Sequence, residues 1–265
     1  MSQSGLLRVH SAPLNYLISL PPAYTPEAGP WPVLCFLHGL GEAAPMDIQA
    51  ALTLHGPLRA GNPLLATNYF IIVTPQLPPP GGDIWARYAA AVQQMVKAVW
   101  EQYRGDPRRT YLTGFSFGGN GVLDLALVQP DVWAALWAVD ITRVAAEPGR
   151  PLWLCLREQH PLANDFIADL KLVPAETDPQ GNRLYTVSGG DHVDAATTAY
   201  RNGPIYDWLL TKQLIDRTGL PTELAKHSGG GFAATRWSIA SGHCLPATTI
   251  IPTVGRRSKF VLSAR

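Results

Sequence analysis

The segment Gly114 to Gly118 reads Gly-Phe-Ser-Phe-Gly and places a serine between two glycines. It follows an apolar run, Thr110 to Thr113, and precedes a helical pattern, which is the context in which a serine is raised above a sheet edge as a nucleophile. The glycines are needed because the turn strains the serine backbone and brings its neighbours against other backbone. We therefore predict Ser116 as a nucleophile.

A histidine ends the glycine turn Ser188 to His192, which follows the last apolar run of the chain. In the chain order serine, acid, histidine, His192 takes the last place. An imidazole with a pKa of about 6.5 can accept the Ser116 proton and later return it to a leaving alkoxide. The pattern predicts His192 as a general base, and a surface histidine is the alternative.

The segment Leu37 to Glu42 reads Leu-His-Gly-Leu-Gly-Glu and follows an early apolar strand. Its glycines let backbone N–H groups turn inward. The amides of Leu40 and Phe117 are predicted to stabilise the oxygen of a tetrahedral intermediate, helped by the dipole of the helix that starts at Phe117. A plain strand-to-loop turn is the alternative interpretation.

Short apolar runs alternate with helical patterns along the chain, which favours a parallel sheet covered by helices. The runs are Leu14 to Leu20, Val33 to Leu37, Tyr69 to Val73, Thr110 to Thr113, Ala134 to Val139, Leu152 to Leu156 and Leu184 to Val187. Helices are expected from Tyr88 to Tyr103 with Asp83 as cap, from Phe117 to Val128, and from Pro204 to Ile215. The fold class is α/β, with a mostly parallel sheet of about seven strands and helices on both faces.

The three segments together resemble the carboxylesterase, phospholipase and acyl-protein thioesterase branch of the α/β-hydrolase superfamily, which is related to the dienelactone hydrolases. The nearest patterns are Leu37 to Glu42, which resembles the Leu-His-Gly-Leu-Gly-Asp segment of that branch, and Gly114 to Gly119. The resemblance covers Leu14 to Ile215 and gives Ser116, Leu40 and Phe117 the nucleophile and oxyanion roles. Dienelactone hydrolases usually carry cysteine as nucleophile, so that activity is less expected here. About ten residues separate Asp140 from the next strand, so no inserted lid is expected.

This chain differs from the branch that it resembles at the acidic residue. In that branch the loop after the strand that corresponds to Leu152 to Leu156 usually supplies an aspartate, where this chain has His160. A neutral imidazole could not stabilise a protonated His192 as a carboxylate does. Two acids stay open: Asp140, at the tip of the preceding strand, and Glu158, two positions early in the usual loop. Asp165 and Asp169 are interpreted as solvent-facing charges on a helix after Pro161, and Asp191 is too close in sequence to His192 to orient it.

Aromatic residues near these segments predict a substrate pocket. Trp85, Phe115 and Trp137 are the predicted substrate-binding side chains, with Leu40 and Phe117 beside them. Burial in the core is the alternative interpretation for the tryptophans.

Composition bounds the partners. The chain has 265 residues, of which 46% are apolar, and a formal net charge of +1, so no strong field favours nucleic acid or an anionic membrane. No apolar run is long enough for a membrane helix, and residues 1–10 lack a basic and apolar leader pattern, so a cytoplasmic protein is expected. We expect no metal and no cofactor, and a monomer or homodimer.

The chain is expected to divide into two parts. Residues 1–216 are predicted as the catalytic domain and 217–265 as a poorly ordered tail.

The chemistry that these segments predict is hydrolysis of a small acyl or aryl carboxylic ester through an acyl-enzyme. A peptidase or a polyester hydrolase could use the same residues, because neither the fold nor the serine turn fixes the scissile bond. A non-catalytic binding protein on a degenerate scaffold is the third possibility, motivated by His160 at the usual acid position.

Overall fold

A nine-stranded sheet organises residues 5–214, the part of the chain that the computed structural model describes. The strands are β1 (Leu6–Val9), β2 (Asn15–Ser19), β3 (Trp31–Leu37), β4 (Ile71–Gln76), β5 (Gly105–Phe115), β6 (Ala135–Val139), β7 (Leu152–Arg157), β8 (Val173–Pro174) and β9 (Arg183–Ser188). The helices are α1 (Ile48–Leu52), α2 (Leu64–Tyr69), α3 (Ala89–Gln102), α4 (Phe117–Val128), α5 (Ala163–Asp169), α6 (His192–Arg201) and α7 (Gly203–Leu210). The predicted tail, 217–265, lies outside the described residues.

The strands lie in the order β1-β2-β4-β3-β5-β6-β7-β9-β8. β1 and β2 pair antiparallel to their neighbours, and every other pair is parallel. The mostly parallel sheet is therefore confirmed, and each of the seven predicted runs overlaps a strand, although Tyr69 belongs to α2. The two further strands were not predicted because β1 is four residues long and partly exposed, and β8 has two residues.

Alternate residues of the central strands pack into two separate apolar cores, one on each face of the sheet. In β3, Val33 and Cys35 pack into a core with α3 and α4, whereas Leu34 and Phe36 pack into a second core with α6 and α7. A strand buried on both faces needs apolar side chains at most positions of either parity, which explains why these runs lack the alternation of a half-exposed strand. The helices thus cover both faces of the sheet, as predicted.

The three predicted helices are present, with two corrections: the end of α7 and the cap of α3. α4 has the predicted bounds, α3 begins after a 3-10 turn at Trp85–Tyr88, and α7 ends at Leu210 rather than at residue 215. Asp83 does not cap α3, whose first turn has no side-chain cap. Its carboxylate instead accepts hydrogen bonds from Arg143. Residues 140–151, between β6 and β7, contain no helix or strand, so no lid is inserted there.

The first turn of α4 crosses the end of β3 at backbone contact. A Cβ atom on Gly118 would lie 1.9 Å from the carbonyl oxygen of Leu37 and 2.7 Å from that of His38. Any side chain at position 118 would therefore push the start of α4 away from the sheet, and with it the serine turn that precedes the helix.

We expect Gly118→Ala to lower the free energy of unfolding by more than about 2 kcal/mol, because the neighbouring atoms are backbone and cannot rotate away. Gly203→Ala is the matched control, since Gly203 also lies in the first turn of a helix and a Cβ there meets nothing within 4 Å. That change should be neutral or stabilising by up to about 1 kcal/mol. Equal effects of the two substitutions in urea unfolding would contradict the close crossing.

Candidate active site

Ser116 lies at the junction of β5 and α4 in a backbone conformation that non-glycine residues rarely adopt, with φ 58° and ψ −121°. Its N–H donates a hydrogen bond to the Val139 carbonyl at 2.9 Å, and its carbonyl accepts one from the Asn120 amide at 3.0 Å. The neighbouring strand and the helix thereby hold the strained turn in place. The side chain is raised at the carboxyl edge of the parallel strands.

A continuous line of hydrogen bonds joins three side chains from three parts of the chain. Ser116 Oγ lies 2.9 Å from His192 Nε2, and His192 Nδ1 lies 2.5 Å from Asp140 Oδ2. Because an ionised carboxylate only accepts, Nδ1 carries the proton and donates to Asp140, which leaves Nε2 to accept from the serine hydroxyl. The arrangement can remove the hydroxyl proton as the oxygen attacks an electrophile.

His192 owes its position to the start of α6, an element that the sequence did not predict. Asp191 caps this helix, its carboxylate accepting from the amides of Val193 at 2.8 Å and Asp194 at 2.9 Å. The Asp194 carboxylate in turn accepts from the Asp191 amide at 3.1 Å. The signal was the Asp191-x-x-Asp194 spacing of a capping box, with aspartate in place of the usual glutamate or glutamine. The box makes His192 the first residue of the helix.

Asp140 follows the end of β6 and has no exposed surface. Its φ is 43°, and its amide donates to the Cys155 carbonyl at 2.8 Å. Burial raises the pKa of this carboxyl, but hydrogen bonds from His192 and Arg157 and the charge of the arginine outweigh burial and lower the pKa below its ordinary value. Asp140 is therefore held as the anion that a protonated imidazole needs.

Of the two open acids, Asp140 is the one that contacts His192, and the Glu158 alternative is corrected. Glu158 is exposed, and its amide donates to the Ser188 carbonyl at 2.8 Å, which fixes its backbone beside β9. Within residues 5–214 its side chain makes no hydrogen bond to the imidazole. His160, at the usual acid position, is buried, its Nε2 donating to the Ile141 carbonyl at 2.9 Å while Nδ1 accepts from the Leu162 amide.

The segment that contains Leu40 passes directly against the serine. A Cβ atom on Gly39 would lie 3.4 Å from the Ser116 Cβ atom. Leu40, the next residue, is 60% exposed. Phe117 is the first residue of α4, where an amide has no partner within its own helix. The oxyanion role of these two amides stays a prediction from the sequence.

His38 anchors this loop from below. It has no exposed surface, its Nδ1–H donates to the Gly39 carbonyl at 2.8 Å, and its Nε2 accepts from the Leu77 amide at 3.0 Å. Burial lowers the pKa of His38 to about 4, against a smaller opposing effect of the Gly39 carbonyl. The imidazole is therefore neutral, and protonating it would displace the Leu77 amide.

A buried carboxylate that the sequence analysis did not single out also supports the loop. Glu42 is 4% exposed, and its Oε1 lies 3.7 Å from His55 Nε2. Burial raises the pKa of Glu42 above its ordinary value, and the amides of Glu42, Gly41 and Gly39 only partly offset this rise. The side chain thus faces the same backbone turn that leads to Leu40.

Two of the predicted substrate-binding residues are core residues, which corrects the predicted pocket. Trp85 and Trp137 have no exposed surface. The Trp85 indole N–H donates to the His38 carbonyl at 3.1 Å, and that of Trp137 donates to the Cys155 sulfur at 3.4 Å. An indole with a buried N–H needs such a partner, so both rings serve packing. Phe115 is 4% exposed and packs against His192 with ring centres 4.6 Å apart, so it supports the imidazole from behind.

The cavity beside His192 has a volume of about 310 Å³. It is lined by Thr142, Arg157, His160, Pro161, Leu162 and His192. None of the predicted pocket residues lies among them. A larger cavity of about 540 Å³ lies near β1, β2 and α2 and includes no predicted site residue.

A polar network that was not predicted from the sequence fixes the wall of the site. Asn120, one turn after the serine, donates to Thr142 Oγ1 at 2.8 Å and accepts from the Thr142 amide at 2.9 Å. Arg143 then bridges Asp83 and Asp124, at 2.7 and 2.6 Å. The loop after β6 is thereby tied to α4 and to the segment before α3.

Neither a metal site nor a membrane span is found in the described part of the chain. Across residues 5–214, no three His, Cys, Asp or Glu side chains are close enough to share a metal ion. The helices of that range are all too short or too polar to cross a bilayer.

The fold matches that of solved hydrolases at low sequence identity. A thermostable esterase matches with a TM-score of 0.60 and 19% identity over 79% of this chain, which spans 63% of the esterase chain. A mutant of the feruloyl esterase module from Clostridium thermocellum, complexed with sinapinate, matches with a TM-score of 0.54 and 16% identity. That match covers 79% of this chain and 88% of the module. An S-formylglutathione hydrolase from Staphylococcus aureus matches with a TM-score of 0.51 and 15% identity. That match covers 77% of this chain and 95% of the hydrolase chain.

Two of these neighbours are esterases and the third is a hydrolase, and the likeness gives the class of the fold: the chain has the α/β-hydrolase fold. No protein-family model matches the sequence, and no curated protein matches it either.

The buried His38 predicts a specific loss of stability in acid. Its folded pKa, about 4, lies below its ordinary value of 6.5, so the unfolded chain takes up the proton first as the pH falls. The stability that neutral His38 supports is complete above pH 6.5 and is lost between pH 6.5 and 4, by an amount on the order of 3 kcal/mol.

We expect His38→Gln to flatten the fall in unfolding free energy across that pH window, measured by urea unfolding at several pH values. The control is His10→Gln, because His10 is exposed. An equal pH slope in wild type and His38→Gln would show that burial of the imidazole does not carry the effect.

Proposed function

We propose that the chain is a serine esterase that hydrolyses small acyl or aryl carboxylic esters through an acyl-enzyme. The observation that carries this proposal is the unbroken line from Ser116 Oγ through His192 to the buried Asp140 carboxylate, with contacts of 2.9 and 2.5 Å. The esterases among the fold's structural neighbours support the same reaction class.

The reaction follows from the direction of these hydrogen bonds. Ser116 Oγ attacks the ester carbonyl while His192 Nε2 takes the hydroxyl proton, and the carbonyl oxygen gains the charge that the Leu40 and Phe117 amides would hold. His192 then gives its proton to the leaving alkoxide as the C–O bond breaks. Water, deprotonated by the same nitrogen, attacks the acyl-enzyme, and the acid and free serine are released.

The site also bears on the competing interpretations. The non-catalytic alternative was motivated by His160 at the usual acid position, and the contact of Asp140 with His192 removes that motive. A peptidase or polyester hydrolase would use the same line of residues, and the small cavity of about 310 Å³ favours a small ester over either. A cytoplasmic location, and a monomer or homodimer without nucleic-acid or membrane partners, remain proposals from the sequence.

Ser116→Ala should reduce the turnover of short p-nitrophenyl esters to the background rate, because the nucleophile is lost. A serine-directed fluorophosphonate should label the wild type and not the variant, as seen by intact-protein mass spectrometry. Turnover that survives in Ser116→Ala would falsify the assignment of the nucleophile.

Asp140→Asn should lower kcat/KM on the order of 10⁴-fold, because an amide stabilises the protonated imidazole poorly and can favour the wrong tautomer. Glu158→Gln is the matched control, since Glu158 is an exposed acid close in sequence to Arg157, and it should leave kcat/KM within about twofold of the wild type. Melting temperatures should be recorded for both. A large rate loss in Glu158→Gln with wild-type activity in Asp140→Asn would reverse the assignment of the acid.

A further inference from the structure

Arg157 ends β7 and reaches the centre of the site, although the sequence did not single it out. Its amide donates to Asp140 Oδ1 at 3.1 Å, and its Nη1 donates to Asp140 Oδ2. The same Nη1 lies 3.4 Å from His192 Nδ1. One carboxylate oxygen is therefore shared between an imidazole and a guanidinium.

The rest of the guanidinium is unoccupied. Within residues 5–214, neither Nη2 nor Nε of Arg157 donates a hydrogen bond, and the side chain is 25% exposed. Arg157 borders the cavity of about 310 Å³. His160, which also lines this cavity, has both ring nitrogens engaged by backbone groups. A planar cation with two unengaged donor nitrogens thus borders a cavity whose lining contains no carboxylate.

The free edge of Arg157, formed by Nη2 and Nε, would affect the proposed reaction. When His192 takes the serine proton, two positive groups lie 3.4 Å apart and share the charge of Asp140 alone. A second carboxylate on the free edge of Arg157 would offset the arginine's charge and favour the protonated imidazole. Because the imidazole is protonated in the transition state and neutral in the resting enzyme, the gain should appear in kcat as well as in KM.

We propose that Arg157 is a specificity-determining residue that binds a carboxylate carried by the alcohol part of the ester. The proposal rests on the proposed esterase function and names its substrate class. The alcohol part is chosen because His192 returns the proton to the leaving oxygen, which must therefore lie at Nε2. From there a substituent extends along the imidazole to the cavity that His192 and Arg157 line together.

The test compares 3-acetoxybenzoate with its neutral amide, 3-acetoxybenzamide, with each rate divided by the rate of hydroxide hydrolysis. The wild type should favour the carboxylate by roughly tenfold or more in kcat/KM, as expected for charge-assisted hydrogen bonds. Arg157→Met should bring the ratio close to one, even though both rates fall through the loss of support for Asp140. Arg157→Lys keeps the charge without the two-pronged geometry and should give an intermediate ratio.

Arg201→Met is the control, because Arg201 is an exposed arginine at the end of the helix that begins with His192. It should leave the ratio unchanged. Should Arg157→Met fail to fold, the lysine variant and the wild type at 0.5 M salt decide, since salt should lower the ratio for an ionic contact near the surface.

The outcomes separate this inference from the function it rests on. A wild type that hydrolyses both esters without preference, or a preference that survives in Arg157→Met, overturns the inference and leaves the esterase intact. A wild type that hydrolyses neither, together with no fluorophosphonate labelling of Ser116, overturns the proposed function and this inference with it.

Discussion

The buried carboxylate of Asp140 is the constraint on which the site depends. A charge without exposed surface is costly unless it is paired and hydrogen-bonded. Asp140 meets that need with the His192 ring, the Arg157 guanidinium and the Arg157 amide. These partners come from the start of α6 and the end of β7, so satisfying one anion fixes the relative positions of three elements at the sheet edge.

Backbone strain is concentrated at the same edge. Ser116 and Asp140 both have positive φ, 58° and 43°, and each amide donates to the carbonyl of an adjacent strand, at Val139 and Cys155. Strained conformations persist only where their surroundings determine them more than once. The parallel strands provide this, and the backbone contact at Gly118 holds the helix close enough for the serine to face the imidazole.

The sequence predicted what local patterns determine. Short segments of the sequence were enough to predict the strand runs, α4, Ser116 and His192. The glycines, apolar residues and spacing within each segment favour a single local structure. The choice between Asp140 and Glu158 could not be made from the residues around either acid, because it depends on which strand end faces α6. Trp85 and Trp137 were misassigned for the same reason: an aromatic residue near a motif in sequence can point into either core or into the cleft. Arg157 gave no local signal, since its role comes from contacts with residues 17 and 35 positions away.

The position of the acid and the presence of the arginine are linked. Where the acid follows β7, as in the branch that this chain resembles, that strand end is occupied by the group that orients the histidine. Here the carboxylate that contacts His192 lies after β6, the end of β7 carries Arg157, and His160 takes the loop position and donates to the Ile141 carbonyl. Moving a carboxylate one strand along the sheet therefore creates room for a cation beside the imidazole. This arrangement has its negative charge fully buried and its positive charge partly exposed, so a cation borders the cavity beside His192.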